Sequence, residues 1–208
     1  PELWYSSDGA TWQLAHTLES DTLHFDAGEE GFVGVGWIGE AREPYAIATA
    51  DGREWIEASS PPTDPGDVAP LGGDWIAMSA FTEDGTDGET SFSADGLDWN
   101  EHGGAELSTV RADGAPCTEY PRDLVPAGRW VVVNTALQYP CTEGGFVVYG
   151  TQQISVDGVT WAPLPFEPGT PGETRSGASV NTAIAVDGGL VLAGEEDGQA
   201  TFWFGESR

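Results

Sequence analysis

The feature that most constrains this chain of 208 residues is a short turn sequence that ends in tryptophan and occurs four times. The copies read SSDGATW, TADGREW, SADGLDW and SVDGVTW. In each copy the Asp side chain can accept hydrogen bonds from turn amides, and the Gly can adopt the positive φ of a tight hairpin. A turn that satisfies its own backbone can lie beside a buried indole ring at little cost. The repeat therefore predicts a structural clasp, with each tryptophan buried at an equivalent position.

The clasp residues are those that supply the hydroxyl, the carboxylate, the flexible backbone and the ring of each copy. They are Ser6, Asp8, Gly9, Trp12, Thr49, Asp51, Gly52, Trp55, Ser93, Asp95, Gly96, Trp99, Ser155, Asp157, Gly158 and Trp161.

A second repeat runs in phase with the clasps. The apolar runs GFVGVG, GDWIAMSA, GRWVVVN and GGLVLAG are typical of buried strands, and short alternating runs lie between them. The 29 Gly and 14 Pro, without a long helical period, favour many short strands joined by turns. Four antiparallel strands in about 45 residues make one propeller blade. The sequence predicts an all-β propeller with the Asp-Gly turns between strands 3 and 4 of each four-stranded blade.

The four turns resemble Asp-box (BNR) repeats, usually written Ser-x-Asp-x-Gly-x-Thr-Trp, in a form that lacks the residue between Asp and Gly. Thr11 and Thr160 keep the threonine of that pattern, whereas Glu54 and Asp98 replace it. The family includes sialidases, other glycoside hydrolases and sortilin-type receptor domains. The resemblance implies a propeller and leaves the function open.

The phase of the repeats divides the chain into one propeller domain with incomplete ends. We expect a partial blade at 1–19, complete blades at about 20–62, 64–105 and 119–167, and a last partial blade at 180–208. The N-terminal strand could complete the last blade, or the chain could be an excised stretch of a larger propeller. We favour the excised stretch, because unpaired sheet edges need a partner chain or further residues to cover them.

The charge excludes several classes of partner. The formal net charge is −28, and all seven basic residues are arginine. Nucleic acids and anionic lipids bind through Lys and Arg, so we expect no nucleic-acid partner. No run approaches the ~20 apolar residues of a membrane span, so we expect no membrane insertion.

The loops that exceed the repeat length point to a binding face. Loops between strands 2 and 3, and between successive blades, emerge opposite the Asp-Gly turns and are the longer ones. Long loops on a rigid scaffold commonly carry binding residues. The candidate binding residues are Tyr120, Tyr139, Phe166, Arg122 and Arg175.

No catalytic or metal-binding pattern stands out. The chain lacks the Phe/Tyr-Arg-Ile-Pro motif that carries the first arginine of a sialidase triad, and its histidines show no metal-ligand spacing. We therefore assign no catalytic residue and no required cofactor. The best oxygen ligands for a calcium ion are Asp84, Asp87 and Glu89, in a spacing that differs from an EF-hand.

These observations lead to an expected function and one alternative. We expect a secreted or cell-surface propeller that acts as a non-catalytic binding or scaffold module for a protein or glycan ligand. The alternative is a carbohydrate-active hydrolase, sialidase-like or another glycosidase, with part of its site outside this chain.

We predict a disulfide between Cys117 and Cys141, the two cysteines of the chain. Both lie in segments that exceed the repeat length, and the topology brings these segments to one face. Closing a loop of about 25 residues could stabilise the fold by roughly 3 kcal/mol. The intact mass under non-reducing conditions should show no alkylatable thiol. Two alkylated cysteines without reductant would contradict the bridge and remove the main support for an extracellular location.

Overall fold

A computed structural model describes residues 2–18, 20–79, 89–104, 107–110, 116–137, 148–164, 178–187, 189–196 and 199–206. All regular secondary structure in these residues is β-strand. No helix that could cross a membrane occurs in this part of the chain.

The strands are short and follow one another through tight turns. They are β1 (Glu2–Tyr5), β2 (Gln13–Thr17), β3 (Ser20–Gly28), β4 (Gly31–Ile38), β5 (Glu43–Thr49), β6 (Ile56–Glu57), β7 (Asp67–Leu71), β8 (Asp74–Met78), β9 (Glu89–Ser93), β10 (Asn100–Gly104), β11 (Ser108–Val110), β12 (Pro116–Ala127), β13 (Trp130–Leu137), β14 (Val148–Ser155), β15 (Ala162–Pro163), β16 (Ala178–Val186), β17 (Gly189–Glu196) and β18 (Gln199–Glu206).

The strands form five antiparallel sheets in chain order. Sheet I is the hairpin β1-β2, sheet II is β3-β4-β5-β6 and sheet III is β7-β8-β9-β10. Sheet IV is β11-β12-β13-β14-β15, and sheet V is β16-β17-β18. Sheets II and III are four-stranded meanders consistent with propeller blades. Sheet IV contains the same meander, with β11 added along the first part of its long strand β12.

Each pair of successive sheets encloses its own apolar cluster. Leu3 of sheet I packs with Ile47 of sheet II, and Val35 of sheet II packs with Trp75 of sheet III. Met78 of sheet III packs with Val133 of sheet IV, and that sheet packs on the next through another cluster of the same kind. The core is therefore divided into four seams between sheets.

The four Asp-Gly turns share one hydrogen-bond pattern. In the first, the Asp8 carboxylate accepts bonds of 2.8 Å from the backbone N–H groups of Ala10 and Thr11. The Ser6 hydroxyl accepts the N–H of Gly9 at 2.8 Å. The N–H groups of Thr160 and Val159 act in the same way on Asp157 and lower the pKa of that carboxyl to about 2. Each carboxylate thus fixes its turn most strongly when ionised.

The glycines of the second, third and fourth turns let those turns approach the sheet before them. A methyl group added at Gly158 would come within 2.6 Å of Ile76 Cδ1 and of Phe92 Cε1 in sheet III. The same addition at Gly96 would overlap Val33 of sheet II, and at Gly52 it would lie 3.2 Å from the Tyr5 ring of sheet I. These glycines also have positive φ, which residues with a Cβ rarely adopt. Steric space and backbone conformation both require glycine here.

One part of the tryptophan prediction is wrong. Trp99 is buried, and Trp55 and Trp161 are half-buried within the apolar clusters. Trp12, by contrast, is 57% exposed, and nothing lies within 4 Å of a methyl group added at Gly9. The reason is positional: each turn packs on the sheet that precedes it, and the described chain has no sheet before sheet I.

This difference provides a matched pair of glycine substitutions. Gly9→Ala and Gly96→Ala both place a Cβ at similar positive φ, +72° and +77°, which costs about 1–2 kcal/mol. Only Gly96→Ala adds a clash with the preceding sheet, which should cost a further ~1–3 kcal/mol. Urea unfolding should therefore give a clearly larger loss for Gly96→Ala. Equal losses would show that the close approach of turn and sheet contributes nothing.

Candidate active site

The first strands of sheets II to V lie side by side. Neighbouring sheets approach one another most closely at β3, β7, β12 and β16. Counting back four residues from the end of each first strand gives His24, Asp67, Asp123 and Thr182, at the same register position. We call these four residues the axial ring. The ring places two carboxylates and an imidazole on three adjacent strands.

Asp67 is the most constrained member of the axial ring. Its Oδ2 accepts the backbone N–H of Leu124 in sheet IV at 2.7 Å, and its Oδ1 accepts the N–H of Val68 at 2.9 Å. His24 Nδ1 of sheet II lies 3.6 Å from Asp67 Oδ1. The side chain is only 18% exposed. One carboxyl group therefore contacts the first strands of both neighbouring sheets.

The environment of Asp67 favours its protonated form. Burial raises the pKa of the Asp67 carboxyl, and the negative charge of Asp123 raises it further. The N–H groups of Leu124 and Val68 and the charge of His24 act in the opposite direction and lower the pKa. Burial is the largest of these effects, so the pKa lies above that of an ordinary Asp.

Asp123 occupies a different environment. Its side chain is 52% exposed, and Asp123 Oδ2 lies 3.7 Å from the Nε of its neighbour Arg122. The pairing of β12 with β13 is irregular between Pro121 and Asp123, so Arg122 stands at a bulge. Bulges are common beside active sites, where they redirect a side chain. The two carboxylates of the axial ring thus differ in exposure, one enclosed and one open to water.

The buried side-chain amide of Asn134 holds β16, the first strand of sheet V. Asn134, the cross-strand partner of Asp123, donates from Nδ2 to the Val180 carbonyl at 2.7 Å. The Val180 N–H donates back to Asn134 Oδ1 at 2.9 Å. Val180 lies just before the bulge of β16 at Asn181, and Thr182 follows. This two-point contact sets where Thr182 stands relative to Asp123.

Asp26 adds a third carboxyl close to the ring. It lies two residues after His24, on the same face of β3. Burial raises the pKa of Asp26, and the N–H of Ala27, which donates to Oδ1 at 2.7 Å, lowers it. Burial dominates, so Asp26 also favours protonation more than an exposed Asp.

The predicted binding residues fall partly outside this description. Arg122 is exposed beside Asp123. Tyr120 belongs to β12, at the end of the strand where the long loops emerge. Tyr139, Phe166 and Arg175 lie outside the described residues, as does Cys141; Cys117 belongs to β12, and the disulfide stays a prediction.

The calcium prediction is likewise untested. Asp84 and Asp87 lie outside the described residues, and Glu89 begins β9, where its N–H donates to the Ser79 hydroxyl at 2.7 Å. Within the residues that the structure describes, no group of three or more His, Cys, Asp or Glu side chains could hold a metal ion.

A cavity of about 580 Å³ lies at the opposite end of the first strands. It is formed by the turns that join first and second strands in sheets II, III and IV. Its walls include Glu29, Glu30 and Asp74, with Arg129 from sheet IV. Arg129 stacks over the ring of Trp130 at 4.5 Å. The cavity contains none of the axial ring, so the carboxylate pair and this cavity are separate features.

The turn and loop patterns did not predict the axial ring, although the sequence carries a signal for it. DVAPLG at 67–72 and DLVPAG at 123–128 share the pattern Asp, two apolar residues, Pro, an apolar residue and Gly. The repeated Asp stands at the same distance before the turn in both copies. His24 occupies the matching position in β3.

Comparison with known proteins yields solved structures only. No protein-family model matches the chain, and no curated protein matches its sequence. A family 117 glycoside hydrolase from Zobellia galactanivorans has a TM-score of 0.47 at 15% identity, over 88% of this chain and 64% of that chain. A glycosyl hydrolase from Bacteroides ovatus has a TM-score of 0.44 at 10% identity, covering 99% and 74%. For an arabinanase from Bacillus subtilis the values are 0.32, 12%, 90% and 95%.

These comparisons correct the expected function. The structural neighbours are glycoside hydrolases with propeller folds, and none of those named here is a sialidase or a sortilin-type receptor. The expectation of a non-catalytic binding or scaffold module is therefore wrong. The family expectation holds at the level of an all-β fold of propeller type.

The contacts of Asp67 predict how its titration responds to neighbouring substitutions. His24→Gln removes a positive charge and should raise the pKa of Asp67, whereas Asp123→Asn removes a negative charge and should lower it. Carboxyl ¹³C chemical shifts followed over pH would measure both changes, with exposed Asp74→Asn as the control that leaves Asp67 unmoved. Identical Asp67 titrations in all variants would contradict an electrostatically coupled ring.

Proposed function

We propose that this protein is a carbohydrate-active hydrolase that cleaves glycosidic bonds at the axial ring. The observation that carries the proposal is the pair Asp67 and Asp123, two carboxyl groups on adjacent first strands in contrasting environments. Glycoside hydrolysis requires one protonated carboxyl and one carboxylate, and environment decides which group does which task.

Asp67 is suited to act as the general acid. It is enclosed between sheets II and IV, and burial raises its pKa, so it keeps a proton at a pH where an exposed Asp has lost it. Asp67 would give this proton to the oxygen of the leaving sugar as the glycosidic bond breaks. Asp123, open to solvent, would take a proton from the water that attacks the anomeric carbon.

The neighbours of the pair would act as positioning residues. His24 contacts Asp67 from sheet II, and its charge lowers the pKa of that carboxyl. Arg122 holds the exposed Asp123 from the bulge of β12. Asn134 fastens β16 beside them. The chemistry is thus supported by side chains from three successive sheets.

The charge of the chain narrows the substrate class. With a net charge of −28 and no lysine, the surface repels anionic sugars such as sialosides and uronides. Neutral glycans are not repelled by this negative surface. We therefore propose a neutral saccharide as the substrate, which also disfavours the sialidase form of the hypothesis.

The rim of the site would come from the long loops. Tyr120 precedes Asp123 in β12, on the side where the strand begins. An aromatic residue there can stack on a sugar ring. Tyr139, Phe166, Arg122 and Arg175 remain our candidates for the same rim, with Cys117 and Cys141 bridging the loops in an extracellular setting.

We also propose that the four turns are Asp-box repeats in a shortened form. The support is the shared bonding pattern, in which the Asp carboxylate accepts two backbone N–H groups in every copy. In this interpretation the Asp boxes hold the sheets and take no part in the chemistry.

The test is hydrolysis of neutral aryl glycosides and neutral polysaccharides by the purified protein. We expect turnover that Asp67→Asn and Asp123→Asn each reduce by at least about 100-fold, the scale of general acid–base catalysis. Because Asp67 must be protonated, wild-type activity should fall as the pH rises through its raised pKa. An aryl sialoside should be a poor substrate.

Asp74→Asn is the matched control, because Asp74 is an exposed carboxyl at the far end of the same sheet. It should keep wild-type activity. Circular dichroism and unfolding curves would separate a loss of chemistry from a loss of fold. Turnover unaffected by either ring substitution, or no turnover of any neutral glycoside, would refute the proposal.

A further inference from the structure

The imidazole of His24 is engaged through only one of its two nitrogens. Its Nδ1 lies 3.6 Å from Asp67 Oδ1, and the His24 side chain is 49% exposed. Among the residues that the structure describes, this is the one polar contact of His24. The two nitrogens of an imidazole point in different directions, so Nε2 keeps a hydrogen-bonding position that this contact does not use.

The sheet fixes where this imidazole stands. His24 is the cross-strand partner of Val35 in β4, and Val35 is the partner of Ala46 in β5. Both partners are buried in the apolar cluster between sheets II and III. A side chain on a packed strand is held more precisely than one on a loop, which suits a residue that must meet a substrate.

His24 stands on the side of Asp67 that faces away from Asp123. Strand β7 packs on β3 at one side and on β12 at the other. Asp67 follows the same division, because its Oδ1 faces His24 whereas its Oδ2 accepts the N–H of Leu124, the residue after Asp123. The enclosed carboxyl therefore lies between the imidazole and the exposed carboxylate.

The geometry of hydrolysis gives this order a meaning, provided that the function proposed above holds. The attacking water and the leaving oxygen stand on opposite faces of the anomeric carbon. With the water at Asp123 and the leaving oxygen at Asp67, the leaving sugar extends from that oxygen away from Asp123. The next side chain in that direction is His24.

We propose that His24 recognises the leaving sugar through a hydrogen bond between Nε2 and one of its hydroxyl groups. A sugar hydroxyl both donates and accepts, so it can pair with this nitrogen whether or not the nitrogen carries a proton. A site that hydrogen-bonds a substrate hydroxyl discriminates against an analogue that lacks it. His24 thus makes the site selective for sugars over apolar alcohols as leaving groups.

The experiment compares matched pairs of neutral glucosides, mannosides, galactosides, xylosides and arabinosides. Each pair is an oligosaccharide and the benzyl glycoside in which a benzyl group replaces its reducing-end sugar. The measured quantity is kcat/KM for cleavage of that last linkage, expressed as the ratio of oligosaccharide to benzyl glycoside. Both leaving groups are alcohols that need the proton of Asp67, so a change in the acid affects both substrates alike.

His24→Ala should lower this ratio about tenfold, the scale of one lost hydrogen bond. His24→Gln is the matched variant, because its amide removes the same charge beside Asp67 yet keeps a hydrogen-bonding group. Its ratio should stay close to that of the wild type. His102→Ala, which changes an exposed histidine on the outermost strand of sheet III, should leave the ratio unchanged. Circular dichroism and urea unfolding would verify that each variant is folded.

The outcomes separate this inference from the proposed hydrolase activity. An unchanged ratio in His24→Ala, with both substrates still cleaved, would overturn the role of His24 and leave the hydrolase proposal standing. A ratio that falls equally in His24→Gln and His24→Ala would also overturn it, because charge rather than a hydrogen bond would then set the preference. Cleavage of neither member of any pair by the wild type would overturn the proposed function and this inference together.

Discussion

The close approach of Gly52, Gly96 and Gly158 to the sheets before them sets the architecture of this chain. A glycine at positive φ lets the turn backbone rest on apolar side chains of the previous sheet, as Gly158 does on Ile76 and Phe92. The Ser155 hydroxyl makes this possible, because it accepts the buried N–H of Gly158, while the Asp157 carboxylate accepts the exposed N–H groups of the next two residues. Backbone bonding and apolar packing are thus met by the same few residues.

The contrasting environments at the centre follow from this stacking. Sheets held at their Asp-Gly turns converge along their first strands, and residues at one register position become neighbours. Asp67 then meets His24 on one side and Leu124 on the other. Its neighbour Asp123 stands on a bulged strand and remains open to water. Two aspartates with the same local sequence occupy different environments, because only Asp67 is enclosed between sheets.

Local chemistry was predictable from the sequence, and relations between sheets were not. The turn motifs and apolar runs predicted short antiparallel strands, because both depend on residues close together in the chain. The exposure of Trp12 depends on whether a sheet precedes it, which no turn motif records. The repeated Asp67 and Asp123 pattern was readable, yet its meaning needed the register of first strands from different sheets. The sequence alone does not show that Asp67 and Asp123 share a register position on adjacent first strands, which is the observation behind the proposed hydrolase.

The seams of the structure respond differently to acid. The seam between sheets III and IV is fastened by Asp67, an ionisable group, whereas the next seam is fastened by the neutral amide of Asn134. Burial raises the pKa of Asp67, so protonation suits the folded state, and this seam gains stability as the pH falls through that pKa. The four turn carboxylates have lowered pKa values, so they contribute stability above their unfolded pKa and lose it as the pH falls through the folded one. Acidification therefore destabilises the four Asp-Gly turns, whereas it stabilises the Asp67 contact between sheets III and IV. The Asn134 contact between sheets IV and V is made by a neutral amide and does not change with protonation.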